Sequence, residues 1–351
     1  MGVGPIRSWQ VDFEEGLRDM GGSDAVEDSG SGTGSGSSGE GGTAVGRGRR
    51  ARAAVEVFCA GACYGAMATT YKLSFAAGFS SFQMVGGQAW MGFIVLGLAL
   101  LVQIASGRRW DHIGGATTAK LVGLGMLTCV TSILYCYAMS VLPVPVALTL
   151  LFQFTWIGIV IQVIITRRPP TLAQVVAAVV IIIGTVFSSG VYETGIAGYD
   201  PVGIACALLS AVSCASFVAL NGMVQPSCSI VQRGFTVSIG TVVMSHTVCP
   251  DFIISGVLFA GMAPYALVGG IFGLALPVIL FGLGAPYLSA GTSTILSSAE
   301  LPAGLFIAMI VLGTPIEPLE WLGVALILAG VCIAQVQPKA PSPPSVSASG
   351  G

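Results

Sequence analysis

From Ala147 to Ser188 the chain reads ALTLLFQFTWIGIVIQVIITRRPPTLAQVVAAVVIIIGTVFS. Two apolar runs, centred on Trp156 and Val180, flank a short basic turn, Arg167-Arg168-Pro169-Pro170. A bilayer core needs about 20 apolar residues per helix, because each residue rises only about 1.5 Å. Both runs approach that length, and the paired prolines cannot extend the helix that precedes them. The stretch therefore reads as a membrane hairpin with its turn on a basic face.

Outward from this hairpin the pattern repeats. Eight more apolar stretches are centred near Gly65, Gly92, Thr128, Leu209, Val243, Phe272, Ile307 and Ala325, which makes ten, in two sets of five. Five is odd, so the second set enters the membrane from the opposite side. The chain is expected to be an all-α polytopic membrane protein with ten transmembrane helices arranged as two inverted five-helix repeats. Sliding it by 146 residues lays Leu134 over Leu280, Leu142 over Leu288, Leu150 over Leu296, Pro169 over Pro315 and Gly184 over Gly330. The predicted layout is a tail at 1–53, a repeat at 54–190, an external linker at 191–199, a second repeat at 200–337 and a tail at 338–351. Inverted repeats are a hallmark of secondary transporters.

Composition excludes several other classes. Hydrophobic residues make up 54% of the chain and charged residues 9%, against about 25% charged in soluble domains. The formal net charge of −2 averages a tail with a membrane body and points to no partner. No basic patch with interleaved aromatics supports a nucleic-acid partner. No HExxH, CxxC, Walker loop or paired membrane aspartates occur, so neither an enzyme nor a metal or other cofactor is expected. All cysteines but Cys228 sit inside apolar segments and read as small packing side chains. A lone intramembrane acid and no repeated filter segment offer little for a channel.

The first fifty residues are a different material. Gly21 to Gly46 is rich in Gly and Ser with scattered acids, among them Asp24, Glu27, Asp28 and Glu40. Such a stretch cannot bury enough apolar surface to offset its ordering entropy, so disorder is expected. Arg47, Arg49, Arg50 and Arg52 close it. Cytoplasmic loops collect Lys and Arg. With this cluster inside, the inner connections carry Arg108, Arg109, Arg167, Arg168 and Arg233, with Lys120 at a helix end and Lys339 past the last helix. The outer ones carry Glu193, Asp200, Asp251, Glu317 and Glu320. A multi-pass protein of the cytoplasmic (plasma) membrane with both termini cytoplasmic follows.

At this point the residues resemble a known family. Tyr64-Gly65 followed by Lys72 resembles the opening of EamA-type transporters of the drug/metabolite transporter superfamily. Ala147 to Ser188 resembles that family's fourth span, basic loop and fifth span, with Thr171 and Gln174 opening the fifth span and Gly184 late in it. Ser297 through Cys332 resembles the matching end of the second half, with Glu300 and Pro302, then Glu320-Trp321-Leu322-Gly323 and Ala329-Gly330-Val331. The resemblance covers about residues 54–337. It implies a small-molecule carrier, often an exporter of metabolites or toxic compounds.

Few residues inside the spans could carry chemistry. Glu300 lies far from both ends of its span, where an ionised carboxylate costs several kcal/mol unless paired, hydrated or protonated. That suits a residue that exchanges a proton or meets a cation; the bland reading is a hydrogen-bonded helix contact. Pro302 is expected to free the carbonyl of Ser298. Lys72, near the outer boundary, reads as an interfacial anchor or as a gate. Gln153, Gln88, Asn221, Tyr64 and Tyr135 each need a partner if buried. Gln153 and Trp156 share a helix face, beside the position that matches Glu300. The candidate substrate or proton site is therefore Glu300, Gln153, Trp156, Lys72, Tyr64 and Asn221.

The combined reading is a secondary transporter (permease) that moves small organic metabolites or drug-like compounds across the cytoplasmic membrane by alternating access, in the export direction, with protons as coupling ion. The alternatives are an uptake permease of the same fold and a non-transporting membrane scaffold subunit. The partners are a small-molecule substrate and the lipid bilayer, and the sequence sets no oligomeric state.

Overall fold

The computed structural model describes residues 38–189, 198–313 and 317–334. The expected tails beyond these limits, most of the 191–199 linker, Pro315 and Lys339 lie outside the described residues. The chain divides into two compact units, Met1–Gly48 and Arg49–Gly351. Residues 38–48 of the first are helical. Everything below concerns the second.

Among the described residues the structure is all-helical, without a β-strand. The helices are α1 (Ser38–Ala76), α2 (Ser81–Ala105), α3 (Gly115–Val141), α4 (Val144–Leu151), α5 (Phe154–Thr166) and α6 (Leu172–Ser189) in the first half. The second half holds α7 (Pro201–Met223), α8 (Ile230–Ser245), α9 (Ala263–Gly270), α10 (Leu276–Gly284), α11 (Ala290–Ser297), α12 (Glu300–Leu312) and α13 (Pro318–Ala334). One π-turn, Leu258–Met262, leads into α9, and a second, Ile271–Ala275, joins α9 to α10, so that together they make one long run. The second π-turn comes just before Pro277, whose missing N–H would otherwise leave an ordinary α-turn one bond short.

Seven runs among the described residues are long and apolar enough to cross a membrane. Leu172–Ser188 and Pro318–Ala334 are apolar but shorter, and α8 has 16 residues. At 1.5 Å per residue these three reach about 25 Å, short of the roughly 30 Å of a bilayer core. The expected count of ten membrane-length spans is thus met by seven of full length.

Side chains are distributed as lipid demands. Large apolar residues face outward, with Ile164, Leu172, Phe259 and Ile310 all exposed. Polar ones turn in: Gln88, Gln162, Gln174, Asn221, Thr294 and Ser298 are buried. No water exists in a bilayer core to satisfy them, so they pair inside the bundle. Gln174 donates to Gln162 (3.1 Å) and Ser289 (2.9 Å), and Gln162 accepts from the Gly291 N–H (2.9 Å), which ties α5, α6 and α11 together. The same Gln174 closes a capping box with Thr171, with bonds of 3.0 and 3.3 Å that start α6.

Helix boundaries recur at a fixed spacing. α4 and α11, α5 and α12, and α6 and α13 each begin 146 residues apart. Arg167 and Gly313, at the same spacing, end α5 and α12 in left-handed conformation, with φ of 53° and 66°. Packing pairs recur as well. α3 lies on α8 as α2 lies on α9, while α6 lies on α13. α5 lies on α7; its counterpart is the approach of α1 to α12, where a Cβ on Gly65 would come within 2.6 Å of the Gly304 nitrogen.

Arg233 departs from the sequence expectation. It is not in a connecting loop but in the first turn of α8, buried. The chain between α7 and α8 is short enough that the guanidinium folds back onto the α7 terminus.

Candidate functional site

The membrane-length runs Val146–Thr166 and Ala290–Val311 are both broken, at positions 146 residues apart. Between α4 and α5 the helix gives way to a tight turn at Phe152-Gln153, where Gln153 N–H donates to Leu150 (3.3 Å) and Thr155 N–H to Phe152 (3.2 Å). Between α11 and α12 the corresponding turn is Ser298-Ala299, with Ala299 N–H to Leu296 (3.2 Å) and Leu301 N–H to Ser298 (3.3 Å). The Ser298 carbonyl is therefore not free as Pro302 suggested. Leu301 takes it through a tighter, three-residue turn. The two breaks meet, with the Thr155 and Ser298 hydroxyls 3.4 Å apart.

Glu300 opens α12 immediately after its break. Its neighbour across the bundle is α1. Gly61 and Gly65 let the two backbones touch, since a Cβ on Gly61 would press on the Ser297 carbonyl and one on Gly65 on the Glu300 carbonyl. Gly61 and Gly65, four residues apart, form a small-xxx-small pair that sets how closely α1 approaches the broken helix.

Glu300 is 8% exposed, and its carboxylate has no hydrogen bond or ion pair among the described residues. It borders two cavities. The inner one, of about 50 Å³, lies between α1, α2, α3, α7 and α12, with Tyr64, Tyr71, Gln88, Ser132 and Tyr135 in its wall. The outer one, of about 190 Å³, is bordered by Tyr64, Thr69, Lys72, Ser188 and Glu320. Tyr64 and Glu300 belong to both walls, so they stand between the two spaces.

The inner wall is polar and only partly satisfied. Tyr71 donates to Gln88 (3.0 Å), which donates in turn to the Gly273 carbonyl (3.0 Å). The Tyr135 hydroxyl is buried with no partner. A buried donor without a partner costs roughly 1–3 kcal/mol, so this hydroxyl is available to a solute or to water. Three phenol rings and one carboxylate around a small space can solvate a cation or hold a proton on the carboxyl group.

Of the six sequence candidates, the structure brings together Glu300, Tyr64 and Lys72. It separates the other three. Trp156 is 43% exposed on the outer surface and donates to Gln153 (2.9 Å), while Gln153 donates back to the Thr149 carbonyl (3.0 Å). Neither lines the two cavities. Asn221 is fully buried elsewhere, accepting from Arg233 at its side-chain oxygen (2.7 Å) and its backbone carbonyl (3.0 Å). Tyr71 and Ser188 were missed by the sequence reading. Tyr71 sits seven residues after Tyr64 on α1 and so on the same face, a spacing that was open to notice.

Two cavities thus share one buried carboxylate inside a bundle of apolar helices. Residues 52–190 match the EamA-like transporter family. No curated protein sequence matches the chain. Twenty-nine chains of solved structures do. One of them, titled only "Crystal structure of protein", is 18% identical with a TM-score of 0.62, over 82% of this chain and 97% of that one. At that identity the likeness shows a shared fold.

Proposed function

We propose that the protein is a ten-span carrier of two inverted five-helix repeats, which exports small organic metabolites or drug-like compounds by alternating access. The 146-residue recurrence of helix boundaries, breaks and packing pairs supports the repeat. Three spans are shorter than a bilayer core, and local thinning at modest cost accommodates them. Arg49, Arg108 and Arg233 gather at one end of the bundle, around one cavity. The positive-inside tendency supports a cytoplasmic assignment for that end; in this reading the membrane is the plasma membrane, and an even number of spans keeps both termini inside.

One observation carries the mechanism: a buried, unpaired carboxylate on a broken helix between two cavities. In this reading Glu300 exchanges a proton, or binds a cationic substrate, as the carrier opens to each side in turn. Tyr64 moves with α1 as the barrier between the spaces, and Lys72 and Glu320 flank the outer mouth. The broken helices allow the two halves of spans four and nine to tilt separately.

The test is flux in proteoliposomes under an imposed pH gradient, screened against amino acids, sugars, nucleosides and cationic drugs. Glu300→Gln keeps volume and hydrogen bonding, so the protein should fold, lose proton-coupled flux and show no pH dependence. Normal flux at every pH in a folded Glu300→Gln protein would reduce the carboxylate to a helix contact.

A further inference from the structure

A third cavity, of about 380 Å³, lies at the arginine-bearing end, away from Glu300. Its wall takes Arg49 from α1, Arg108 from the α2–α3 connection and Arg233 from α8. No Asp or Glu is among the residues that line it. Asp111 is near, but its carboxylate accepts from the Ser229 N–H (3.0 Å). The Cys228 thiol in the wall is held protonated, since burial first and Asp111 second push its pKa up. Three arginines thus border one concave space, against the single nearby carboxylate of Asp111.

The charges are of different kinds. Arg108 is exposed, and Arg49 is half-buried with its guanidinium 4.2 Å over the Tyr287 ring, which orients it. Arg233 is 4% exposed. One of its amino groups, Nη2, donates to the Asn221 side chain (2.7 Å), the Asn221 carbonyl (3.0 Å) and the Val224 carbonyl (3.4 Å). The other, Nη1, has no partner and faces Gly282, another wall residue. A buried guanidinium normally places all its donors, so a spare one is a costly vacancy.

The N-terminus of α8 faces the same space. Ser229, Ile230 and Val231 line it, while the Ser229 hydroxyl is turned to cap Gln232 (3.1 Å). That leaves the N–H groups of Ile230 and Val231 without an intrahelical acceptor, at the positive end of the helix. A helix N-terminus, one unpartnered guanidinium nitrogen and two further arginines converge from separate elements. Donors that converge from several directions match a tetrahedral oxyanion with several acceptor oxygens better than a planar carboxylate or a halide.

We propose that this cavity binds a phosphate-bearing anion, separately from the transported solute, and that the bound anion ties α1, α8 and the α2–α3 connection together. The phosphate group can belong to a free organophosphate or to the headgroup of an anionic lipid, because the cavity lies at the end of the bundle.

Full-length protein in neutral detergent is followed by thermal unfolding, with ionic strength held constant by chloride. The probes are inorganic phosphate, glycerol phosphate, and short-chain phosphatidylglycerol set against short-chain phosphatidylcholine. At least one of the anionic probes (phosphate, glycerol phosphate or phosphatidylglycerol) should raise the midpoint saturably, and the zwitterionic phosphatidylcholine should not. Response to the soluble phosphates assigns a free ligand; response to phosphatidylglycerol alone assigns the lipid headgroup. Arg233→Gln risks the fold, because Asn221 loses its partner. The Arg49→Gln/Arg108→Gln double variant is therefore decisive: its apparent affinity should fall about tenfold or more. Arg168→Gln, on another basic turn, should leave affinity unchanged. No saturable response to any probe, or an unaltered affinity in the double variant, overturns the proposal.

Discussion

Replacing Gly65 by Ala adds one methyl group where α1 meets α12 beside its break. The new Cβ would sit 2.6 Å from the Gly304 nitrogen, 2.7 Å from the Glu300 carbonyl oxygen and 2.8 Å from the Ala303 Cβ. Ordinary carbon contacts begin near 3.5 Å, so the two helices must separate by about 0.5–1 Å. Two of the three contacts are backbone, so no side-chain rotation relieves them. Overpacking of this kind costs about 1–3 kcal/mol. The gain in helix propensity from Gly to Ala offsets roughly 0.5–1 kcal/mol of it. The net loss should lower the thermal midpoint in detergent by a few degrees at fixed scan rate. Gly123→Ala is the control, since α3 leaves nothing within 4 Å of that position; it should be neutral or stabilising. Flux should fall in Gly65→Ala as well, because Tyr64 and Glu300 border the same contact. A Gly65→Ala protein as stable as Gly123→Ala would refute the close α1–α12 packing on which the site is built.

Other expectations follow from the same geometry. Single cysteines at Ser106 and Asp251, in a cysteine-free background, should react with impermeant reagents from opposite sides of the membrane; same-side labelling would end the ten-span reading. Asn221→Leu removes a charge-assisted bond to Arg233 and should cost about 1.5–3 kcal/mol of stability, read as a lower unfolding midpoint with the Glu300-dependent pH profile of flux unchanged; a wild-type midpoint would show that Arg233 finds another partner. Lys72→Gln should reduce flux less than Glu300→Gln, since an exposed residue at the outer mouth is replaceable by another polar group that reaches water. Trp156→Leu should leave substrate affinity unaltered, because the indole faces outward; a large rise in KM would put Trp156 back in the path.

The apolar helices, and the lack of strands among the described residues, were legible because a bilayer forces every backbone group to be satisfied within its own helix. The Pro169/Pro315 and Gly184/Gly330 pairs revealed the 146-residue offset, since such residues mark turns and close approaches whatever surrounds them. Glu300 was legible as a candidate because a charge deep in a span is costly anywhere. The faces of the spans were not legible. A helix that is apolar all round carries no stripe that tells lipid from protein, so Gln153 and Trp156 read like cavity residues, yet they lie outside it, while Tyr71 points in. The role of Asn221 was hidden because its partner, Arg233, is brought to it only when α8 folds back on the end of α7. The arginine cavity draws on residues 49, 108 and 233, which no local pattern joins. Local rules decide which segments are helical, since helix bonds reach only four residues along the chain. Which side chains share a space is decided by contacts between distant segments, and those exist only once the helices have packed.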